Sequence, residues 1–234
     1  VLVLEGHQAT CRAVAFSPDG RSLASADDDG LVKPWDVAKQ MELRTLNAHN
    51  SRVRGLVYSP DGTWLASGGE DGLVKVCNLN ESTLGPIVYS NLAMVWSLEF
   101  SPDSSLLAVG DANGAIVVQS LDGSGRTSEL VGHGDSITAI EFTPDGQTIL
   151  SSSYDGRVNE WRAQQPAFPA AATIHVNAGK MWAISTSPIQ NHVVVAGKGG
   201  FVQIFDLATG ESVMQAPEHN TATVDCVQYS PDGT

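Results

Sequence analysis

Ser17-Pro18-Asp19-Gly20 returns as Ser59-Pro60-Asp61-Gly62, as Ser101-Pro102-Asp103-Ser104 and as Thr143-Pro144-Asp145-Gly146, its prolines 42 residues apart. Weaker copies follow at Pro188 and Pro231, after 44 and 43 residues. Twelve residues beyond each of the first four prolines stands a glycine preceded by Asp or Asn: Gly30, Gly72, Gly114 and Gly156. A fixed period of this length marks one supersecondary unit, copied and stacked.

Residues 6–47 show what the unit is. Thr10–Ser17 alternates polar or small with apolar residues, the period of a strand with one buried face. Pro18-Asp19-Gly20 turns the chain, since proline presets φ and glycine accepts a left-handed position. Ser22–Ala26 reads as a second strand, Asp29-Gly30 as the next hairpin turn, Leu31–Asp36 as a third strand and Met41–Leu46 as a fourth. No segment shows helical periodicity. Four short antiparallel strands a to d, with a turn at each reversal, describe one blade of a β-propeller. The stretch Arg162–Ala172, with Pro166 and Pro169, reads as an irregular c–d loop.

With Gly6-His7 opening a unit and Trp35-Asp36 closing its third strand, and with Gly132-His133 and Trp161 doing the same in the fourth unit, the chain resembles the WD-repeat β-propellers. The resemblance implies an all-β fold with five full blades and partial ends, one array over residues 1–234. Residues 1–4 would be the d strand of a closing blade, and 5–47, 48–90, 91–131, 132–176 and 177–217 blades one to five. Residues 218–234 would begin a sixth blade, with Val224–Ser230 as its strand a. Seven blades are typical of such rings, and seven units need roughly 60 residues more than this chain has.

The family's buried hydrogen-bonded tetrad maps by offset onto His7, Ser25, Asp29 and Trp35, and onto His133, Ser151, Asp155 and Trp161. His49, Ser67 and Asp71 match it too, with Cys77 in place of the tryptophan. An indole N–H needs an acceptor once buried, and a Ser–His–Asp chain supplies one. Three equivalent buried copies read as structure, not as the triad of a hydrolase. The third unit has Asn91, Val109, Asn113 and Gln119 at these places and the fifth Asn177, Val195, Gly199 and Phe205, so apolar packing must hold those blades.

Composition narrows the function. At 42% apolar, with 23 glycines and 11 prolines, the chain is folded and turn-rich. Its formal charge of −13 argues against nucleic acid, whose phosphates need a basic surface. No apolar run approaches the length of a membrane span. Cys11, Cys77 and Cys226 are too few and scattered for a disulfide framework or a zinc site, and each reads as a small buried hydrophobe in a strand. Gly197-Lys198-Gly199-Gly200 lacks the spacing and the helix of a phosphate loop and reads as a b–c turn. No enzyme, cofactor or metal is expected, and a reducing, cytoplasmic setting is.

The resemblance also places partners on the top face, at two positions opening strand a and one before the b–c turn of each blade. These are Thr10, Arg12 and Asp28; Arg52, Arg54 and Glu70; Met94, Trp96 and Ala112; Ser136, Thr138 and Tyr154; Lys180, Trp182 and Lys198; and Thr223 and Asp225. The set holds five of the chain's 13 Lys and Arg, plus three large aromatics, the composition of a binding hot spot. A plainer account has Trp96 and Trp182 plugging the channel mouth and the arginines paired with Asp28 and Glu70. The expectation is a scaffold that captures a protein or peptide of acidic or phosphorylated character. The alternative is a regulatory domain of a larger signalling kinase, NTPase or protease.

Overall fold

A computed structural model describes residues 3–79, 84–90, 93–163, 172–176, 179–216 and 222–233. Among these, all regular structure is β-strand, in five sheets whose strands follow chain order. The first holds β1 (Cys11–Phe16), β2 (Ser22–Asp27), β3 (Leu31–Asp36) and a split fourth strand, β4 (Met41–Glu42) and β5 (Leu46–Asn47), both paired with β3. The second holds β6 (Val53–Tyr58), β7 (Trp64–Gly69), β8 (Leu73–Asn78) and β9 (Leu84–Ser90). The third runs β10 (Val95–Phe100), β11 (Leu106–Asp111), β12 (Ile116–Ser120), β13 (Thr127–Leu130). The fourth runs β14 (Ile137–Phe142), β15 (Thr148–Ser153), β16 (Arg157–Arg162), β17 (Ala172–His175), and the fifth β18 (Met181–Thr186), β19 (His192–Gly197), β20 (Val202–Asp206), β21 (Ser212–Gln215). These are the antiparallel four-stranded blades the repeat implies.

The repeated tetrapeptide has a local cause. Ser17 Oγ donates to Asp19 Oδ1 (2.7 Å), that oxygen accepts the Arg21 N–H (3.0 Å), and the Ser22 N–H reaches back to Ser17 Oγ (2.9 Å). The same three bonds recur at 59–64, 101–106 and 143–148. Each turn ends in a left-handed residue, at φ 68° for Gly20 and 61° for Ser104, the copy without glycine. At the opposite end, Gly30 accepts the Ala48 and His49 N–H groups on its carbonyl, and a Cβ there would lie 2.1 Å from His49 O. That contact joins the first two blades.

The chain divides into two compact units, residues 1–111 with 119–126 and residues 112–118 with 127–234. In the first, Ala24, Val32, Leu46, Val53 and Leu65 pack blade one on blade two, and Val74, Val95, Phe100 and Leu107 continue that core into β10 and β11. In the second, Leu150, Val158, Met181, Ile184, Val193 and Phe205 pack blade four on blade five. Burying such side chains contributes about 1.5–3 kcal/mol each.

Several local expectations change. The fourth strand of blade one breaks at Leu43–Thr45 because buried Lys33 needs partners there: its Nζ donates to Glu42 Oε2 (2.7 Å) and Thr45 Oγ1 (2.8 Å). Val3 and Leu4 lie outside any strand, and residues 1 and 2 fall outside the described set. Residues 222–230 are not a strand; they hold to blade five by single bonds, Val224 N–H to Gly197 O (3.1 Å) and Tyr229 N–H to Ser185 Oγ (3.3 Å), with no ladder. Cys77 is buried, but Cys11 and Cys226 are exposed, since β1 turns Cys11, Val14 and Phe16 outward and 222–230 packs on one side only. Asn91, Asn177, Pro166 and Pro169 lie outside the described residues.

Candidate functional site

In blade four the polar chain closes as its offsets imply. Trp161 Nε1–H donates to Ser151 Oγ (2.8 Å), Ser151 Oγ meets His133 Nε2 (2.7 Å), and His133 Nδ1 meets Asp155 Oδ2 (2.9 Å). Asp155 also accepts the Gly134 and Arg157 N–H groups, which pins the b–c turn. Blade two repeats the chain without an indole, through Ser67, His49 and Asp71, with Cys77 buried in the tryptophan's place. Ser151 is 0% exposed and already accepts the indole N–H, so no substrate reaches it as a nucleophile. Blade three turns its equivalent Gln119 to the Ser120 and Arg126 carbonyls, at 2.9 and 3.2 Å.

Blade one corrects the assignment. His7 Nε2 meets Ser25 Oγ (2.6 Å) and Trp35 Nε1–H donates to Ser25 Oγ (2.7 Å), but His7 Nδ1 pairs with Asp27 Oδ2 at 2.6 Å and not with Asp29. Asp27, fully buried, also accepts the Asp29 and Leu31 N–H groups. The cause is competition for one volume. Blade two has Gly69 at the place of Asp27, and a Cβ there would lie 2.5 Å from both Asp71 Oδ1 and His49 Nδ1. A carboxylate arriving two residues early therefore fills the site and leaves Asp29 in solvent.

These histidines set a pH dependence. Burial holds His49 and His133 below their ordinary 6.5, against the opposing pull of Asp71 and Asp155. As pH falls below 6.5 the unfolded chain takes the protons first, so stability present above 6.5 is lost, by up to about 1.4 kcal/mol per pH unit per histidine. Glu141 opposes this. Burial, partly offset by Thr186 Oγ1 donating to its Oε2 (3.3 Å), pushes its carboxyl up to about 7. Its contribution is therefore complete below the ordinary 4.5 and lost as pH rises through 7. Glu141→Gln is expected to steepen the fall in urea midpoint between pH 7 and pH 5. Equal slopes in both proteins would refute the assignment.

The residues expected to meet a partner are positioned by one repeated device. Every a–b ladder carries a bulge, and the residue it skips is Arg12, Arg54, Trp96, Thr138 or Trp182. An extra residue breaks the pleat and re-aims its side chain. Strict alternation, the expected reason for two strand-a positions pointing one way, thus does not apply; the bulge sets the direction. A backbone bond clamps the third position to the first: Asp28 N–H to Thr10 O (3.1 Å), Glu70 N–H to Arg52 O (2.9 Å), Tyr154 N–H to Ser136 O (3.0 Å) and Lys198 N–H to Lys180 O (3.0 Å).

In the first unit this gathers a line of charge. Arg12 grips Asp28 through two bonds of 2.8 and 2.9 Å, and Arg54 grips Glu70 Oε1 at 2.9 and 2.7 Å while lying over the Trp96 ring, 5.0 Å from its centroid. Arg52 stands between them, 3.4 Å from Asp28 and 4.0 Å from Glu70, with 49% of its side chain exposed. The Arg12 hydrogen bond, reinforced by charge from Arg52 and Arg54, keeps the Asp28 carboxyl below its usual range. Met94, exposed, adds an apolar edge. In the second unit, Tyr154 and Trp182 pack edge to face at 4.8 Å and Lys180 Nζ lies 4.0 Å above the Tyr154 ring. Lys198 is exposed on the adjoining turn. Arginine pairing with Asp28 and Glu70, the plainer account, holds for Arg12 and Arg54; Arg52 makes only long contacts.

Sequence reasoning missed Asp27 as the partner of His7. The run Asp27-Asp28-Asp29, set against Gly69 and Ser153 in the matching blades, was the signal for it. Among the described residues, no group of three or more His, Cys, Asp or Glu is placed to hold a metal ion.

Comparison with known proteins agrees with this geometry. The family described as WD domain, G-beta repeat matches residues 1–36, 40–78, 88–118 and 125–162. A WD repeat-containing protein, SL1-17 of Schistosoma mansoni, is 57% identical over 37 residues. That alignment spans 16% of this chain and 12% of the Schistosoma protein.

Proposed function

Because this chain belongs to the WD-repeat family, whose blades serve in general as scaffolds for other proteins, we propose that it captures a peptide or protein at the b–c turn ends of its blades. The supporting observation is Arg52: a half-exposed guanidinium with five donors, held between two carboxylates by contacts too long to satisfy it. The local cluster of Arg12, Arg52 and Arg54 against Asp28 and Glu70 keeps one net positive charge on a chain of −13. An acidic or phosphorylated side chain is the complementary partner, since a forked guanidinium binds either in two-point fashion. The Arg12–Asp28 pair lies at the surface, where such pairs are worth about 0–1 kcal/mol, so Asp28 exchanges readily for an incoming anion. Trp96 offers a rigid apolar anchor beside that charge, and within the second unit Tyr154 and Trp182 offer another beside Lys180. Catalysis has no part in this reading.

The test is an array of acidic, phosphorylated and charge-neutral peptides, probed with the protein and with an Arg52→Ala/Trp96→Ala double variant. Retention of acidic or phosphorylated sequences is expected to fall by about tenfold or more in the variant, as loss of one hot-spot pair implies. Arg52 is exposed and Trp96 is half-buried, so Arg52→Ala alone, which leaves the packing intact, is probed alongside the double variant. Identical retention profiles would end the assignment to this face.

A further inference from the structure

Around Arg52 the charges are nearly, but not fully, balanced. Arg12, Arg52 and Arg54 face Asp28 and Glu70, which leaves one positive charge over. Arg12 is engaged by its two-point pair with Asp28, and Arg54 spends Nε and Nη2 on Glu70 Oε1. Arg52 is the group left open. Its Nε stops 3.4 Å from Asp28 Oδ1 and its Nη1 4.0 Å from Glu70 Oε1, and 49% of its side chain is exposed.

The two acids are tied to this place by their backbone. Asp28 N–H is bonded to Thr10 O (3.1 Å) and Glu70 N–H to Arg52 O (2.9 Å), so each side chain starts from a point fixed beside strand a. An incoming anion can take Asp28 off Arg12, but it cannot send the charge of Asp28 farther than one short side chain reaches. The Arg12 hydrogen bond also keeps that carboxyl below its usual range, so the charge persists at neutral pH. Glu70 Oε2 accepts no hydrogen bond among the described residues, so unspent lone pairs stand in the cluster as well.

A partner's carboxylate brings one negative charge, which cancels the one left over. A phosphate monoester brings about 1.5–2 at neutral pH. Its extra charge meets a cluster already neutral, beside two fixed carboxylates that repel it, and a dianion sheds more water on the way in. Resting on the capture of a partner at this face, and narrowing it, we propose that Asp28 and Glu70 act as a charge filter. The Arg52 position takes an aspartate or glutamate side chain of the partner and disfavours a phosphorylated one.

The test passes short degenerate peptide pools, identical except for a central glutamate, phosphoserine or glutamine, over the immobilised whole chain at neutral pH. Retention of the glutamate pool is expected to exceed that of the glutamine pool by about tenfold and that of the phosphoserine pool by about threefold or more. The excess over glutamine is expected to vanish in Arg52→Ala. Asp28→Asn and Glu70→Gln each raise the cluster to two positive charges, and each is expected to bring phosphoserine level with glutamate or above it. Because the pools are compared on the same protein, a variant that folds in lower yield still reports the ratio. A glutamate pool held no better than glutamine, or unaffected by Arg52→Ala, would overturn the capture reading and the filter with it. A phosphoserine pool held as well as glutamate by the parent protein, and lost in Arg52→Ala, would overturn the filter and leave the capture reading standing. An unchanged preference for glutamate in both acid variants would remove Asp28 and Glu70 from that role.

Discussion

Replacing Trp161 with alanine is expected to lower the unfolding free energy by about 3–5 kcal/mol, the range for emptying a buried aromatic site. The indole is 1% exposed, packs against the His133 ring at 6.0 Å between centroids, and closes so tightly on the chain that a Cβ on Gly132 would lie 2.9 Å from it. Most of that loss is packing. Blade two shows why: with Cys77 in the indole's place, His49 still meets Ser67 at 3.0 Å and Asp71 at 2.9 Å. The polar chain therefore survives without its terminal donor, and what alanine would leave at position 161 is chiefly a cavity. Urea unfolding monitored by circular dichroism measures the change. A loss below about 1 kcal/mol would show that blade four does not depend on this wedge.

The second expectation concerns the spare carboxylate of blade one. Asp29→Ala is expected to change stability by less than about 0.5 kcal/mol, since Asp29 is exposed and His7 Nδ1 pairs with Asp27 in its stead. Asp27→Ala frees the volume that Asp27 occupies, and Asp29 then enters it as Asp155 enters beside Ser153 in blade four. The single change is thus expected to cost no more than about 1–1.5 kcal/mol, while Asp27→Ala/Asp29→Ala leaves His7 and the backbone N–H groups of residues 29 and 31 without their acceptor. That double variant is expected to lose about 2–4 kcal/mol, well beyond the sum of the singles. Additive losses would refute the spare role of Asp29, and a costly Asp29→Ala alone would restore it as the primary partner.

These cases mark where residue order stopped being sufficient. The offset of 22 residues from histidine to aspartate places Asp71 and Asp155 correctly and fails at Asp27, 20 residues on, because a third variable, the size of the residue preceding the turn, decides which side chain fits. Likewise Arg12, Arg54, Trp96 and Trp182 were identifiable by position, but their aim comes from a bulge that alternation does not reveal. Val224–Ser230 alternates like a strand, yet it has no ladder among the described residues. A period of two is necessary for a strand, and a hydrogen-bonded neighbour makes it one.

The amino-acid order by itself determined the blade: its turns close through hydrogen bonds among residues two to five apart, and its strands alternate over six residues, so every cause is local. Tertiary structure alone decided which carboxylate meets His7 and how Arg52 comes to lie between Asp28 and Glu70. Those outcomes depend on which of several competing side chains occupies a volume bounded by residues far apart in the chain, and spacing carries no measure of volume.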